Sequence, residues 1–437
     1  MLRPYLLAFL ALVAGLVSSG TVHASSLDTI IIDSGTDQPI RVAIVPFKLP
    51  QDLRVDANIS DIVSFDLVRS GQFDPLASEN MLSQPGTREQ VFFRDWRILK
   101  SAYLVIGRVE QRLDGRLDVT FDLFDVIGER LMESRTYNTD VSQWRDVAHK
   151  ISDVVYEQIT GIRGAFSTKI MYVLAQNAGS PRASYRLEVA DSDGERSRTL
   201  LNSAEPILSA SWAPDGTRIA YVTFETGRPT IVLQDLDGPY RERITNFRGI
   251  NGSPVFSPDG SQLAMVLSKD GDPEIYVMDI EARRLRQITR NHVIDTEPSW
   301  HPDGRHLIYT SNKSGQPQIY QMELATNFTE RLTFEGTYNA RARMLPNGSN
   351  LVYVHRRNGI FHIAWQDLER DQPPTILTAT ALDESPSLAP NGTMLIYATQ
   401  DRGRGILAVV SIDGSVKYRL PSSSGDVREP AWSPCLD

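Results

Sequence analysis

The residues in this 437-residue chain whose types and spacing could do chemistry are a series of acidic turns, seven histidines and one cysteine. Asp215, Asp259 and Asp303 follow Pro214, Pro258 and Pro302, and each is followed by glycine. Carboxylates at a fixed spacing suggest an oxygen-ligated cation such as calcium. The next two turns carry Asn347 and Asn391 instead, without disturbing the pattern. The aspartates therefore read as turn formers, since Asp and Asn both hydrogen-bond their own backbone in a turn. Of the histidines beyond the leader, His301 occupies a turn slot and His306 follows that turn, so both read as solvated. His149 falls in a helical stretch, His355 and His362 flank a hairpin loop, and His292 lies in a polar link. No C-x-x-C and no close carboxylate–histidine cluster announces a metal site. No G-x-S-x-G, P-loop, H-E-x-x-H or G-x-G-x-x-G occurs. Cys435 is the only cysteine, so no internal disulfide is expected. No catalytic residue and no cofactor follow from these patterns. A calcium ion in a central funnel stays open as an alternative.

The turns must be positioned by something regular. Pro214, Pro258, Pro302, Pro346, Pro390 and Pro434 are each 44 residues apart. Two residues before each stands a large apolar group: Trp212, Phe256, Trp300, Met344, Leu388 and Trp432. Apolar runs begin after the turn at Ile219, Leu263, Leu307, Leu351 and Leu395, and again at Ile231, Ile275, Ile319, Ile363 and Leu407. A weaker fourth run reads RITN, QITR, RLTF, TILT and YRLP. Four short strands in a period of this length are a propeller blade. Such a unit buries its faces only by stacking in a ring. The last repeat stops after its first strand, at REPAWSPCLD, while KIMYVLAQ at Lys169–Gln176 begins a blade that lacks one. The C-terminal strand is thus expected to close the first blade, giving a six-bladed β-propeller over 167–437. Propeller peptidases carry a separate hydrolase domain, for which this chain has neither room nor motif.

Upstream the repeat is absent, and 40–166 reads as a mixed α/β domain. Ile40–Phe47 is a buried strand, and Ile59, Ile62, Val63 and Leu67 share one helical face that ends at Gly71. Tyr103–Val109 is a strand, and Leu117–Leu123 alternates apolar with polar residues. A helix with Val141, Trp144, Val147, Ile151, Val154, Val155 and Ile159 on one stripe leads into the propeller. Asp140 and Gln143 suggest a capping box for it, and Gly161 its stop.

Residues 1–24 have one arginine, a short apolar core and Val22-His23-Ala24, which reads as a secretory signal peptide cut between Ala24 and Ser25. A periplasmic or secreted product without a transmembrane segment is expected. The net charge of −9 argues against nucleic acid as a partner. Residues 25–39 hold Ile30, Ile31 and Ile32, then Asp33, Ser34 and Gly35. A short apolar strand followed by breakers suits addition to another protein's sheet edge. It equally suits a terminal strand docked on its own domain.

In each blade the Pro-Asp/Asn-Gly turn is expected on one face of the ring, and the link to the next blade on the other, around the funnel mouth. The links are polar and carry Arg248, Asn251, His292, Asp295, Thr296, Glu297, Tyr338, Asn339, Arg341, Asp383, Glu384, Arg428 and Glu429. A rigid ring presenting polar loops is a binding platform. A propeller lyase or a glycan-binding protein with a funnel metal is the competing reading.

The combination of a leader, IIIDSGTDQPIRVAIVPF, FDPL at Phe73–Leu76, YLVIGRV, LDESPSLAPNGTMLIYAT and a terminal EPAWSP resembles the TolB family, periplasmic propeller proteins of the Tol-Pal system. The resemblance implies a monomeric, non-enzymatic adaptor. It implies binding of Pal, the peptidoglycan-associated lipoprotein, by the mouth residues named above, a face that colicins also exploit. It implies engagement of TolA by the N-terminal segment, which switches between docked and free states. Outer-membrane integrity and invagination at cell division are the implied roles.

Overall fold

The computed structural model describes residues 31–32, 39–55, 57–421 and 425–436. The leader, the Ala24/Ser25 cleavage position, Ile30, Asp33, Ser34 and Gly35 lie outside the described residues. The first elements are β1 (Ile31–Ile32), β2 (Ile40–Ile44), α1 (Ile59–Arg69), β3 (Phe73–Leu76), α2 (Phe93–Ile98), β4 (Tyr103–Gln111), β5 (Leu117–Asp125), β6 (Arg130–Thr139) and α3 (Trp144–Thr160). Strands β3-β2-β4-β5-β6 form one sheet. β2 runs parallel to β3 and β4, whereas β4, β5 and β6 are antiparallel.

The apolar stripes of α1 and α3 close one face of this sheet. Ile62, Val63, Leu67, Val147, Ile151 and Val155 pack there with Val105, Val119 and Phe121. α2 covers the other face, where Trp96 joins Ala43, Val45, Leu104, Ile106 and Phe124. Asn58 caps α1 by accepting the Ser60 amide at 3.1 Å. Gly161 ends α3 at φ +74°, its amide donating to Glu157 O at 2.8 Å. The start of α3 departs from expectation. Val141–Gln143 is a separate 3₁₀ turn, and Asp140 accepts the Ser142 amide at 2.8 Å. The Thr139 hydroxyl lies 3.4 Å from Gln143 Oε1, and no reciprocal capping box forms.

Six four-stranded antiparallel units then complete a ring. Blade one is split as expected: Asp426–Trp432 pairs with Lys169–Gln176, in a register that sets Trp432 opposite Ile170. The repeated turns behave as turns. Asp215, Asp259, Asp303, Asn347 and Asn391 each accept the amide two residues on, at 2.8–3.2 Å. The glycine that follows each sits at φ +67° to +73°. Threonines near the outer strands tie the blades internally. The Thr245, Thr289, Thr333 and Thr378 hydroxyls accept the amides of Ile231, Ile275, Ile319 and Ile363 at 2.9–3.0 Å. Trp212 and Trp300 donate from the ring nitrogen to Ala431 O and Val255 O in the preceding blade, at 3.0 and 3.2 Å.

β1 is docked, but on the propeller rather than on its own α/β domain. It pairs antiparallel with the outer strand of blade six, Val416–Arg419, Ile31 facing Lys417 and Ile32 facing Val416. That outer strand is gripped from the domain side as well. Gly71, at φ +74° after α1, lies so close that a Cβ there would stand 1.9 Å from Val416 Cγ2.

A buried polar network joins the domain to blades one and six. Arg69 donates to Asp66 at 3.1 Å, to Ser192 O at 3.1 Å, to Ser192 Oγ at 2.7 Å and to Tyr418 Oη at 3.4 Å. His149 Nδ1 lies 2.7 Å from Asp66, and its Nε2 lies 3.8 and 3.7 Å from Asp191 and Asp193. Arg145 pairs with Asp193, while Lys169 and Arg196 pair with Asp191 at 2.6 and 2.7 Å. Burial works against charge on His149, but Asp66, Asp191 and Asp193 outweigh it and raise the imidazole to about 9. Burial likewise opposes ionisation of Asp66 and Asp191. His149 and Arg69 at Asp66, and His149, Arg196 and Lys169 at Asp191, hold both carboxyls below their usual range.

The joint therefore carries a pH signature. A histidine raised on folding contributes fully below its unfolded value of about 6.5 and loses that contribution as pH climbs through about 9. Depressed carboxylates contribute above about pH 4 and lose it in acid. Maximal stability of the joint is expected between about pH 4 and 6.5. Urea midpoints should fall from pH 6.5 to 9.5, and His149→Asn should flatten that fall. A midpoint that rises over this interval would contradict the assignment.

Candidate functional site

The innermost strand of every blade starts at the link face and carries one β-bulge. The bulge residues are Ser209, Ser253, Glu297, Arg341, Ser385 and Glu429, spaced at 44 residues like the turns. All six sit at φ between +47° and +54° or, for Arg341, at +55°. A bulge re-aims a side chain out of the strand's alternation. Here all six residues line a central channel of about 400 Å³. Arg341 is its hub. It donates from Nε to Glu297 at 2.8 Å, bonds Ser385 Oγ, and lies 3.6 Å from Glu429. Burial opposes its charge, but Glu429, Glu297 and Glu384 raise it further above the usual arginine range. Arg343 lines the same channel and donates to Ala342 O at 2.9 Å. Burial pushes the Glu384 carboxyl up, with the like charges of Glu429 and Glu297 adding to it and Arg341 and Arg428 opposing.

In this channel Glu297 and Glu429 both pair with Arg341, and the guanidinium groups of Arg341 and Arg343 line the space with them.

The links sort the expected contact residues into three groups. Arg248, His292 and Arg428 are exposed. Thr296, Glu297, Tyr338, Arg341, Glu384 and Glu429 are half-buried, and of these Glu297, Arg341 and Glu429 pair with one another in the channel. Asn251, Asp295, Asn339 and Asp383 are at most 1% exposed, and their expected role as contacts needs correction. They occupy one repeat position and clamp the links from within. Asn251 donates to Phe247 O at 2.8 Å, and Asp295 accepts Asn291 Nδ2 at 2.8 Å. Asn339 donates to Gln318 Oε1 at 2.7 Å and Glu335 O at 2.8 Å, with His355 Nδ1 2.7 Å from its oxygen. Asp383 accepts the hydroxyls of Thr378, Thr380 and Thr399 at 2.5–2.7 Å. A polar side chain at a link start is as useful for folding the link as for touching a partner, and burial decides between the two.

One residue before each clamp the face turns apolar. Ile250, Ile294, Tyr338 and Leu382 form a second 44-residue series. Ile250, Ile294 and Leu382 are 42%, 49% and 48% exposed, and Phe334 in the same link as Tyr338 is 70% exposed. Ile360, on the hairpin loop of blade five that reaches this face, is 44% exposed. Of this set only Tyr338 is among the contacts expected from the sequence, since the other members carry no polar group to mark them. The series was visible in the repeat. Apolar side chains held in water by buried clamps, rimmed by Arg248, His292 and Arg428, have the composition of a protein-binding face.

Comparison with known proteins agrees with this architecture. A family model described as the TolB beta propeller domain matches residues 156–436, and one described as the TolB amino-terminal domain matches 28–132. The Tol-Pal system protein TolB of Pseudomonas putida is 45% identical over 250 residues, 57% of this chain and 56% of that protein. The Tol-Pal system protein TolB of Pseudomonas aeruginosa is 47% identical over 244 residues, 56% of this chain and 55% of that protein. The match thus spans little more than half the length of these curated relatives. The crystal structure of TolB from Acinetobacter baumannii superimposes with a TM-score of 0.84 at 42% identity, covering 93% of this chain and 99% of that one. With the propeller model alone matching well over half of the sequence, the chain belongs to the TolB family.

Proposed function

We infer that this protein is a non-catalytic periplasmic adaptor of the Tol-Pal system, which holds Pal on the link face of its propeller and engages TolA through its N-terminal segment. The observation that carries the reading is the series Ile250, Ile294, Tyr338 and Leu382 on a rigid ring, of which Ile250, Ile294 and Leu382 are exposed and Tyr338 half-buried. A monomeric propeller has no folding reason to hold two isoleucines and a leucine in water at three of four successive links, and a partner that covers them gives one. The names of the relatives, Tol-Pal system protein TolB, support the system. Among the described residues no helix is long and apolar enough to cross a membrane, which is consistent with a protein that works between two membranes. Roles in outer-membrane integrity and in invagination at division follow from that membership, and colicins would use the same face.

A photo-crosslinking residue placed at Ile294 should trap Pal in cells. The same residue at Phe328, which is 65% exposed on the opposite, turn face, should not. Trapping from residue 328 and not from residue 294 would overturn the assignment of the face. Glu297 is a poor probe, because its carboxylate also holds Arg341 and Thr310.

The pairing of β1 with blade six supports the docked half of a two-state N-terminal segment. Among the described residues, Ile31 and Ile32 pair along this edge. A partner strand that offers the segment a longer edge would release it. Deleting residues 25–35 should abolish TolA binding and leave Pal binding and the urea midpoint near those of the parent. A deletion product that fails to fold would make the segment structural.

A further inference from the structure

The blade-four turn reads His301-Pro302-Asp303-Gly304-Arg305-His306. At the position of His301 the other repeats carry Ala213, Ser257, Leu345, Ala389 and Ser433. At the position of His306 they carry Arg218, Gln262, Asn350 and Met394. Blade four alone brackets its turn aspartate with two imidazoles, and the repeat itself demands neither.

The structure brings the three side chains together. His301 Nδ1 lies 3.0 Å from Asp303 Oδ1, and His306 Nδ1 lies 2.7 Å from Asp303 Oδ2. The two rings are edge to face with centroids 5.6 Å apart. One donor atom from each residue falls within 4.8 Å of the others. The side chains are 16%, 32% and 26% exposed for His301, Asp303 and His306, so they are sheltered yet reachable.

Their hydrogen bonds prepare them as ligands. His301 Nε2 lies 3.0 Å from the carbonyl of Gly348 in the next blade. A carbonyl only accepts, so Nε2 carries the proton and the neutral ring keeps its lone pair on Nδ1, facing Asp303. Fixing the far ring nitrogen on a backbone carbonyl is how metal-binding histidines are usually oriented. The amides of Arg305 and His306 donate to Asp303 Oδ1 at 2.8 and 3.2 Å and lock the carboxylate, leaving Oδ2 turned toward His306. The Asp303 amide, 3.2 Å from His301 Nδ1, is a contact that a metal ion would displace.

We propose that this turn is a site for a divalent transition-metal ion of the zinc class, held by His301 Nδ1, Asp303 Oδ2 and one ring nitrogen of His306, with water completing the shell. Two imidazoles and one carboxylate suit zinc, whereas calcium and magnesium prefer oxygen alone. Bonds of about 2.0 Å in a tetrahedron set ligand atoms about 3.3 Å apart, and the present atoms bracket that spacing, with His306 Nδ1 at 2.7 Å from Asp303 Oδ2 and all three donors within 4.8 Å of one another. The site lies on the turn face, away from the links, and does not depend on the partner assigned to them.

The test titrates the untagged chain from residue 25 onward with zinc chloride by calorimetry, and with cobalt chloride by visible absorption. One Zn²⁺ per chain with Kd at or below ~10 μM is expected, together with cobalt d–d bands. A large excess of calcium should not compete. Asp303→Asn and His306→Gln should each weaken binding at least ~10-fold. His292→Gln, a change at a fully exposed histidine of the other face, should leave it unchanged. Absence of saturable binding would overturn the proposal. So would binding that survives both substitutions, since the metal would then sit elsewhere.

Discussion

Replacing Asp66 by alanine is expected to destabilise the protein by about 3–5 kcal/mol, the range for removing one partner of a buried ion pair. Asp66 is fully buried at the joint between the α/β domain and the propeller. It accepts from Arg69 at 3.1 Å and from Ser152 at 2.7 Å, and faces His149 at 2.7 Å. Its loss leaves the Arg69 guanidinium hydrogen-bonded to the neutral partners Ser192 and Tyr418, with the Asp193 carboxylate still acting on it from further away. His149 then keeps only the more distant carboxylates of Asp191 and Asp193. The effect should appear in the urea midpoint. Replacing the pair together, as Asp66→Leu with Arg69→Met, should recover part of the loss, because it removes the uncompensated charge. A cost under about 1 kcal/mol for the single change would mean that the network is not what holds the joint.

The second large effect concerns the link face. Ile250→Glu with Ile294→Glu is expected to weaken Pal binding by at least 2 kcal/mol, roughly 30-fold in Kd. Both side chains are 40–50% exposed, at 42% and 49%, so the folded state loses little packing. In a complex they would be desolvated, and a carboxylate at either point would be buried without a partner. The urea midpoint should stay within about 0.5 kcal/mol of the parent, the usual range for surface changes. Unchanged affinity in the double variant would remove the apolar series from the interface.

How legible this was in the sequence differed by element. The ring, its six blades and the split first blade followed from the proline spacing, because a period leaves no freedom in what must stack on what. The α1 stop at Gly71 and the α3 stop at Gly161 were equally plain. The start of α3 was not, since the choice between a capping box and a 3₁₀ turn depends on where Gln143 finds a partner. Among the link residues the type of side chain was a poor guide. Asn251, Asp295, Asn339 and Asp383 look like contact residues and are buried clamps, while Ile250, Ile294 and Leu382 look like core and face water. Only the three-dimensional path of each link separates the two. The bulges at Glu297, Arg341 and Glu429 turn their side chains into the channel by adopting positive φ, which no non-glycine residue type announces. The docking of β1 on Val416–Arg419 joins residues nearly 400 apart in sequence, as Ile31 to Lys417, and has no local signal at all.

The measurement that bears most directly on the central claim is a calorimetric titration of the chain from residue 25 onward with the soluble domain of Pal from the same organism. The account predicts saturable binding at one Pal per chain, abolished or strongly weakened by Ile250→Glu with Ile294→Glu and unaffected by Asp303→Asn on the opposite face. Absence of binding to a folded sample, or binding indifferent to the link-face pair, would contradict it.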